Sequence, residues 1–374
     1  MIYLDYAANT PADPAVLARF VETEGQYIGN PNSKHNAGKA ANSALETVTA
    51  AIAEKLNVKS CEIIYTSGAS EANNLAIKGI ARSSRHIGKH IISTPLEHMS
   101  VSAPLTYLQE QGYEIDLVDI GRDGVIDVEH FRELLREDTV LAAVCAVDSE
   151  LGTVQPIREI AEILRDYPNC KFHVDMTQAV GKTDIILEGV DTAAFSAHKF
   201  YGLNGSGLLF KKESLVIEPL FHGGVSSSLY RSGTPTLALG AALDMALELT
   251  LAEREKHVKA VQIHNAFLRG ALSSYTGVYI NSPENAVPHI LNVSVKDVKG
   301  GEFQKALDKH GVCVSVKSAC SVEGTPSRAV FAISRDKKIA LSSWRISLSH
   351  LTTKEEMKEF MTIFDKCYKE LVNG

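Results

Sequence analysis

Phe195-Ser196-Ala197-His198-Lys199-Phe200-Tyr201-Gly202 places one lysine between a histidine and an aromatic residue, just where an apolar run gives way to glycine. The preceding Thr192-Ala193-Ala194-Phe195 reads as the end of a buried strand. A lysine flanked by Phe195, Phe200 and Tyr201 is expected to be partly desolvated, which lowers its pKa and raises the fraction of free amine able to attack a carbonyl. Attack on an aldehyde gives a Schiff base. Upstream, Lys171-Phe172-His173-Val174-Asp175 is a second strand pattern, ending in a carboxylate. Strand, acid, loop, strand and lysine in that order are what a site at the carboxyl ends of parallel strands supplies. The alternative for this pair is a snorkelling lysine at a strand end and an aspartate that caps a helix.

Helix and strand patterns alternate around these segments, as expected for a doubly wound α/β domain. With 374 residues, 45% hydrophobic and 22% charged, the chain can bury one large core and a smaller one. A net charge of -7 and a pI near 6.0 argue against a general nucleic-acid binder, which needs clustered Lys and Arg. Met1-Ile2-Tyr3-Leu4-Asp5 has no basic leader followed by an apolar run, and no later stretch reads as a membrane span, so a cytoplasmic protein is expected. The six cysteines (Cys61, Cys145, Cys170, Cys313, Cys320, Cys367) form no Cys-x-x-Cys pair, which suggests neither a disulfide framework nor a zinc site. Most are expected in the core. Cys320 is the exception: it sits in a polar loop pattern, Lys317 to Ser327, after the strand pattern Val312-Cys313-Val314-Ser315-Val316, where a thiol is accessible.

Other segments gain meaning from the lysine. Ile63-Ile64-Tyr65-Thr66 reads as a strand feeding Ser67-Gly68-Ala69-Ser70-Glu71-Ala72-Asn73-Asn74. A small-residue turn that opens a helix presents backbone N–H groups to a phosphate; the alternative is a plain capping box with Ser67 or Ser70 as cap. His98, at a strand-helix junction, is either a cap or an aromatic ring that stacks on a flat ligand. Asp13-Pro14 looks like a helix start, and residues 236–274 read as one helical stretch. In Ser343-Trp344-Arg345-Ile346-Ser347-Leu348 an arginine stands among apolar neighbours, so it meets either an α-carboxylate or an internal acid. A lysine for an aldehyde and an acid for a ring nitrogen are together what pyridoxal phosphate chemistry requires.

Read in order, Leu4-Asp5-Tyr6-Ala7-Ala8, Gly29-Asn30-Pro31, Thr66 to Glu71, Glu97-His98, His173-Val174-Asp175, Gln178-Ala179-Val180-Gly181-Lys182, Ser196 to Lys199, Arg231-Ser232-Gly233-Thr234, Ser318-Ala319-Cys320 and Arg345 resemble the cysteine desulfurases. These are a branch of the class V aminotransferase family with the fold-type I pyridoxal-phosphate architecture. The resemblance implies a large cofactor-binding domain over 15–255 with a mostly parallel seven-stranded sheet. A smaller α+β domain from 1–14 and 256–374 would carry the cysteine loop and the arginine. It further implies that Lys199 holds the cofactor's aldehyde, Asp175 pairs with the ring nitrogen and His98 stacks on the ring. Gln178 and Ser149 would lie near the ring hydroxyl, while Ala69, Ser70, Ser196 and His198 hold the phosphate, helped by Thr234 from the second subunit of a homodimer. Arg345, with Asn30 nearby, would bind the carboxylate of L-cysteine. Cys320 would accept sulfur as a persulfide, leave alanine behind, and pass the sulfur to an acceptor protein, a cluster scaffold or a tRNA- or thiocofactor-thiolation protein. No metal, membrane or direct nucleic-acid partner is implied.

Two segments depart from the family pattern. Asp148-Ser149-Glu150 stands where Asn-Asn-Glu is usual, and Gly223-Gly224-Val225-Ser226-Ser227-Ser228 replaces a Gly-Gly-Gly-Gln-Glu-like run. A selenocysteine lyase, another aminotransferase-like pyridoxal enzyme, or a catalytically altered homologue remain alternatives at this point.

Overall fold

The computed structural model describes residues 1–224, 226–317 and 324–372. In chain order the strands are β1 (Ile2–Tyr3), β2 (Ile63–Thr66), β3 (His90–Ser93), β4 (Glu114–Leu117), β5 (Thr139–Cys145) and β6 (Lys171–Asp175). They continue with β7 (Thr192–Ser196), β8 (Gly207–Lys211), β9 (Val278–Ile280), β10 (Ile290–Val295), β11 (Val312–Cys313) and β12 (Ser343–Ser347). Seven of them form the main sheet in the order β2-β8-β7-β6-β5-β3-β4. All pairs are parallel except those of β8, which runs against both β2 and β7. The mixed α/β fold with a mostly parallel seven-stranded sheet is the one expected.

The sheet is covered on both faces, so its strands are apolar throughout: every residue of β5, Thr-Val-Leu-Ala-Ala-Val-Cys, is buried. Alternation sorts side chains between the two faces. Phe172 and Val174 of β6 join the larger hydrophobic cluster on one side, together with Ala193 and Phe195 of β7. His173 and Asp175, of opposite parity, face helix Ala69–Ser83 on the other side, where Ala72, Leu75, Ala76 and Ile80 pack on the sheet. β6 therefore brings two polar residues into an otherwise apolar layer. The carboxyl ends of β5, β6 and β7 bring Cys145, Asp175 and Ser196 to one edge, where α/β sheets place their sites.

A second core is built on the antiparallel sheet β12-β10-β9. Trp344 stacks on Phe303 at 5.1 Å, with Phe360 and Phe364 packed around them. Helical pattern 236–274 is two helices, Leu237–Ala252 and Arg254–Leu272, interrupted at Glu253. The break is explained by what each half must bury: Leu243 and Leu247 belong to the first core, Val261, Leu268 and Leu272 to the second. At the amino end β1 pairs in parallel with β11, and Ile2 and Leu4 are part of the second core. The chain then crosses to the lysine loop, where both the backbone N–H and the hydroxyl of Thr10 donate to His198 O at 2.9 Å. Among the described residues no helix is long and apolar enough to cross a membrane.

Close approach of three segments fixes the edge where the site lies. A Cβ on Gly207 would come 2.4 Å from Phe195 O and 2.6 Å from Gly68 Cα. Gly207→Ala is therefore expected to cost about 1–3 kcal/mol through overpacking, read as a lower urea midpoint. An unchanged midpoint would mean that β7, β8 and the turn before helix Ala69–Ser83 are not in register as described.

Candidate active site

The turn after β2 opens helix Ala69–Ser83 without a serine cap. Gly68, at φ +142°, is the N-cap and offers no side chain, while Glu71 turns back to accept from Ser67 N at 2.8 Å. Neither Ser67 nor Ser70 caps the helix, so the backbone N–H groups of its first turn face the cavity beside them. Ser196 Oγ lies beside this turn, 3.2 Å from where a Cβ on Gly68 would sit, and 3.1 Å from His198 Nδ1. Burial, with Lys199 nearby, holds His198 down to about 4, leaving the imidazole neutral.

Buried Asp175 is held by two donors: Thr177 N to Oδ1 and Asn73 Nδ2 to Oδ2, both at 2.9 Å. Asn73 also donates to Ser100 Oγ at 2.8 Å, and its Oδ1 lies 2.9 Å from His173 Nε2. With both amide hydrogens spent, Asn73 Oδ1 must accept, so the hydrogen-bond network puts the His173 proton on Nε2 and leaves Nδ1 to accept from Thr192 Oγ1. Burial pushes His173 down to about 4, consistent with the neutral form. The Ser100 hydroxyl is left to donate to His98 Nδ1 at 2.9 Å, and Ser100 N donates to the same atom at 3.1 Å. His98 thus carries its proton on Nε2. It caps helix Met99–Glu110, as one sequence reading has it, and it also lines the cavity.

Opposite, Lys199 Nζ donates to Ala7 O at 2.9 Å and Ala8 O at 2.6 Å. Gln178 Nε2 shares the Ala7 carbonyl at 2.8 Å. Arg345, 2% exposed, donates to Asp5 Oδ1 at 3.0 Å and to Ser149 O at 2.7 Å, while its Nε has no hydrogen-bond partner. It has the internal acid and also faces the cavity.

Ala69, Ser70, His98, Ser149, Asp175, Gln178, Ser196, His198, Lys199 and Arg345 line one cavity of about 360 Å³. Asn30 and Thr234 are not among the lining residues; both are exposed and lie 3.5 Å apart through Nδ2 and Oγ1. Cys320 falls outside the described residues. Cys145, Cys170 and Cys367 are buried, whereas Cys61 is exposed and Cys313 half-buried. Among the described residues no group of three or more His, Cys, Asp or Glu could hold a metal ion. Sequence reasoning missed Asn73 as the partner of Asp175 and His173 as the partner of Asn73; the spacing of Asn73 four residues after Ala69, on the same helix face, was the available signal.

The model of the Aminotransferase class-V family matches residues 2–360. The chain belongs to that family. Cysteine desulfurase IscS of Dictyoglomus turgidum is 36% identical to this class-V aminotransferase family member, over 99% of this chain and 95% of its own length. A solved NifS-like protein superposes with a TM-score of 0.92 at 32% identity, covering 99% of this chain and 100% of that one. SspA in complex with cysteine superposes with a TM-score of 0.82 at 30% identity, over 94% of this chain and 100% of that one. Pyridoxal phosphate is a general property of the family. The residues present fit it: an uncapped helix N-terminus faces the cavity across from a lysine, and a buried carboxylate with two donors lies between them.

One buried acid at this site is not accounted for by the cofactor. Glu97 Oε1 accepts from Thr94 Oγ1 at 2.8 Å and Cys145 N at 2.9 Å, while Oε2 is buried without a partner. Burial, with Asp175 adding to it, pushes Glu97 up to about 8. An unfolded glutamate titrates near 4.3, so between the two values the native state binds the extra proton and stability falls as pH rises from about 4.5 to 8. Glu97→Gln, which imitates the protonated form, should leave the apoprotein's urea midpoint nearly unchanged at pH 5 and raise it at pH 8.5. A parallel pair of midpoint-against-pH curves would show that Glu97 is ionised in the fold.

Proposed function

We propose that the protein is a pyridoxal-phosphate-dependent cysteine desulfurase that converts L-cysteine to L-alanine and passes the sulfur through Cys320. The observation that carries this is the meeting of Lys199, Asp175, His98, Arg345 and the open helix N-terminus in one cavity. The resemblance to proteins named cysteine desulfurase, over nearly the whole chain, supports the same reading. When bound, pyridoxal phosphate supplies an electron sink for the pair of electrons left at carbon when a bond to the amino acid breaks.

This chain's own residues bind and orient. The N–H groups of Ala69 and Ser70, with the Ser196 hydroxyl and the imidazole of His198, hold a phosphate at the positive end of the helix. Asp175 keeps a proton on the ring nitrogen, since a buried carboxylate favours a cation beside it. Asn73 and Thr177 fix that carboxylate in place, and through Ser100 the same network orients His98 against the ring face. Lys199 supplies the amine that holds the aldehyde and moves protons to and from the substrate carbon. Gln178 and Ser149, which line the same cavity, would serve the ring hydroxyl. A serine there is shorter than asparagine and donates one hydrogen bond, so the cofactor's electronic tuning differs from the family pattern. Arg345 binds the substrate carboxylate while Asp5 and Ser149 O hold its guanidinium.

In the sulfur step the Cys320 thiolate attacks the substrate sulfur and the carbon–sulfur bond breaks. Sulfur leaves as a persulfide on Cys320, and the electron pair remaining at carbon takes up a proton to give alanine, so one cysteine and one thiol yield one alanine and one persulfide. The exposed Cys61 is a poor substitute, because burial of its sulfur and the nearby Glu213 push its thiol up. In this reading residues 15–255 hold the cofactor, and residues 1–14 with 256–374 bring Arg345 and Cys320. Thr234 and Asn30 serve the site of the second subunit in a homodimer, and an acceptor protein takes the persulfide sulfur onward.

With L-cysteine and pyridoxal phosphate, the protein should form alanine and a protein-bound persulfide in equal amounts during a single turnover. Lys199→Ala should lose the cofactor fixed by borohydride, and Asp175→Asn should keep bound cofactor but lose about 10²-fold or more in turnover. Cys320→Ala should bind cofactor normally and fail to release alanine at a useful rate. Parent-like alanine release from Cys320→Ala would overturn the desulfurase reading in favour of a selenocysteine lyase or an aminotransferase.

A further inference from the structure

Behind Lys199, away from the cofactor side, lies a second and much smaller cavity. Its lining includes Lys182, His257, His289, His350, Tyr6 and Tyr201, together with Lys199 and several small or apolar residues, and no carboxylate. Its volume of about 20 Å³ exceeds the roughly 10–15 Å³ that one water-sized body needs. The walls come from distant parts of the chain. His257 opens helix Arg254–Leu272 and stacks on His350 at 3.6 Å, with the rings 5° from parallel. Tyr201, held at φ +64° just after the lysine, meets His350 edge-on at 4.8 Å, and its hydroxyl bonds Ser349 Oγ at 2.6 Å.

Two atoms in this lining lack the partner they need. His289 is 6% exposed and its Nδ1 has no hydrogen-bond partner. A buried orphan of this kind is destabilising unless something fills the gap. Lys182 Nζ donates to Gln178 Oε1 at 3.0 Å, a neutral amide, and no salt bridge to it is found among the described residues. The surrounding charge is positive: Lys199 and Arg345 both act on Lys182, and Lys182 in turn acts on His289. Among the described residues acids reach the cluster from outside its lining, Glu253 towards His257 and His350, Asp13 towards His350 and Glu356 towards Tyr6, with Lys256 opposing the first two.

We propose that this cavity binds one small monovalent anion of the halide class, held by Lys182 and His289 and ringed by His257, His350, Tyr6 and Tyr201. A water molecule would fill the gap at His289 but leave the ammonium of Lys182 without countercharge; an anion answers both. Burial, aided by Lys199 and Arg345, holds Lys182 down to about 7, and burial with His257 holds His350 down to about 4. An anion favours the protonated forms, so it binds with proton uptake and more tightly as pH falls through about 7. The proposal does not rest on the reading of the reaction, because neither Lys182 nor His289 lines the cofactor cavity.

Crystals of the holoenzyme prepared with sodium bromide in place of chloride at pH 6.5 and pH 8.5 test this by anomalous diffraction at the bromine edge. One anomalous peak is expected between Lys182 Nζ and His289 Nδ1, with occupancy at least twofold lower at the higher pH. Lys182→Met should abolish it, and His289→Asn should weaken it. Density without anomalous signal would identify a water and overturn the proposal. So would a bromide peak that persists in Lys182→Met or ignores pH, which would mark an adventitious ion only. Should Lys182→Met not fold, the pH series on the parent and His289→Asn decides between the same outcomes.

Discussion

The constraint on which the site rests is the burial of one carboxylate, Asp175, at the end of β6. A carboxylate removed from water must have its oxygens satisfied, and an unpaired one would cost several kcal/mol. One oxygen is met locally by Thr177 N, as the chain turns out of the strand. The other needs a donor from across the layer, and Asn73 supplies it as the fifth residue of helix Ala69–Ser83. Because Asn73 also bonds His173 and Ser100, the helix cannot slide or rotate on the sheet without orphaning three buried polar groups. The position of the phosphate-facing turn, one helical turn before Asn73, is therefore set by the requirement at Asp175. So is the orientation of His98, through Ser100.

Charge is distributed unevenly about that carboxylate. Lys199, Lys182 and Arg345 gather on one side, with Asp5 paired to Arg345. On the other side, burial holds Glu97, Asp148 and Glu150 towards their neutral forms, Glu97 to about 8 and Asp148 to about 7. A cavity lined by Lys199 and Arg345, with these acids behind its wall held towards neutral, favours an anionic guest over a cationic one. Asp148 is one of the two places where the chain departs from the family's Asn-Asn-Glu. Its Oδ2 accepts from the N–H groups of Glu150 and Leu151, a turn-closing role that an asparagine side-chain carbonyl also fills, so the substitution preserves the loop. The neighbouring Ser149 matters differently, because its backbone carbonyl holds Arg345 whatever its side chain is.

Much of this was legible because the segments obey local rules. Residues 171–175 and 63–66 form strands as their patterns predict, and Asp13 with Pro14 caps and opens helix Pro14–Gln26. What escaped sequence reading depends on long-range pairing. The antiparallel course of β8 leaves no mark in Gly207–Lys211, since a buried strand is apolar in either direction. The interruption at Glu253 is decided by two cores pulling on one amphipathic run, not by a breaking residue. Asn73 read as an ordinary polar helix residue because its partners, His173 and Asp175, lie 100 and 102 positions away. Asn30 and Thr234 were assigned by resemblance alone, and one chain does not bring them to the cavity.

The amino-terminal segment ties the two cores to the lysine, and its composition follows from that duty. Leu4 is buried in the second core, Asp5 holds Arg345 of β12, and five residues further on Thr10 is bonded to His198 and Tyr201. Between them the backbone carbonyls of Ala7 and Ala8 approach Lys199 Nζ to within hydrogen-bond distance. Side chains larger than methyl at these positions would compete for the cavity that both alanines line. The Ala7 carbonyl serves Lys199 and Gln178 at once, and Gln178 passes the connection to Lys182. A change at Lys199 is therefore felt at Lys182 through a chain of three hydrogen bonds, and the segment that carries Ala7 is anchored in the core that also carries β12. This makes the first thirteen residues part of the site, although in sequence they stand farthest from the lysine.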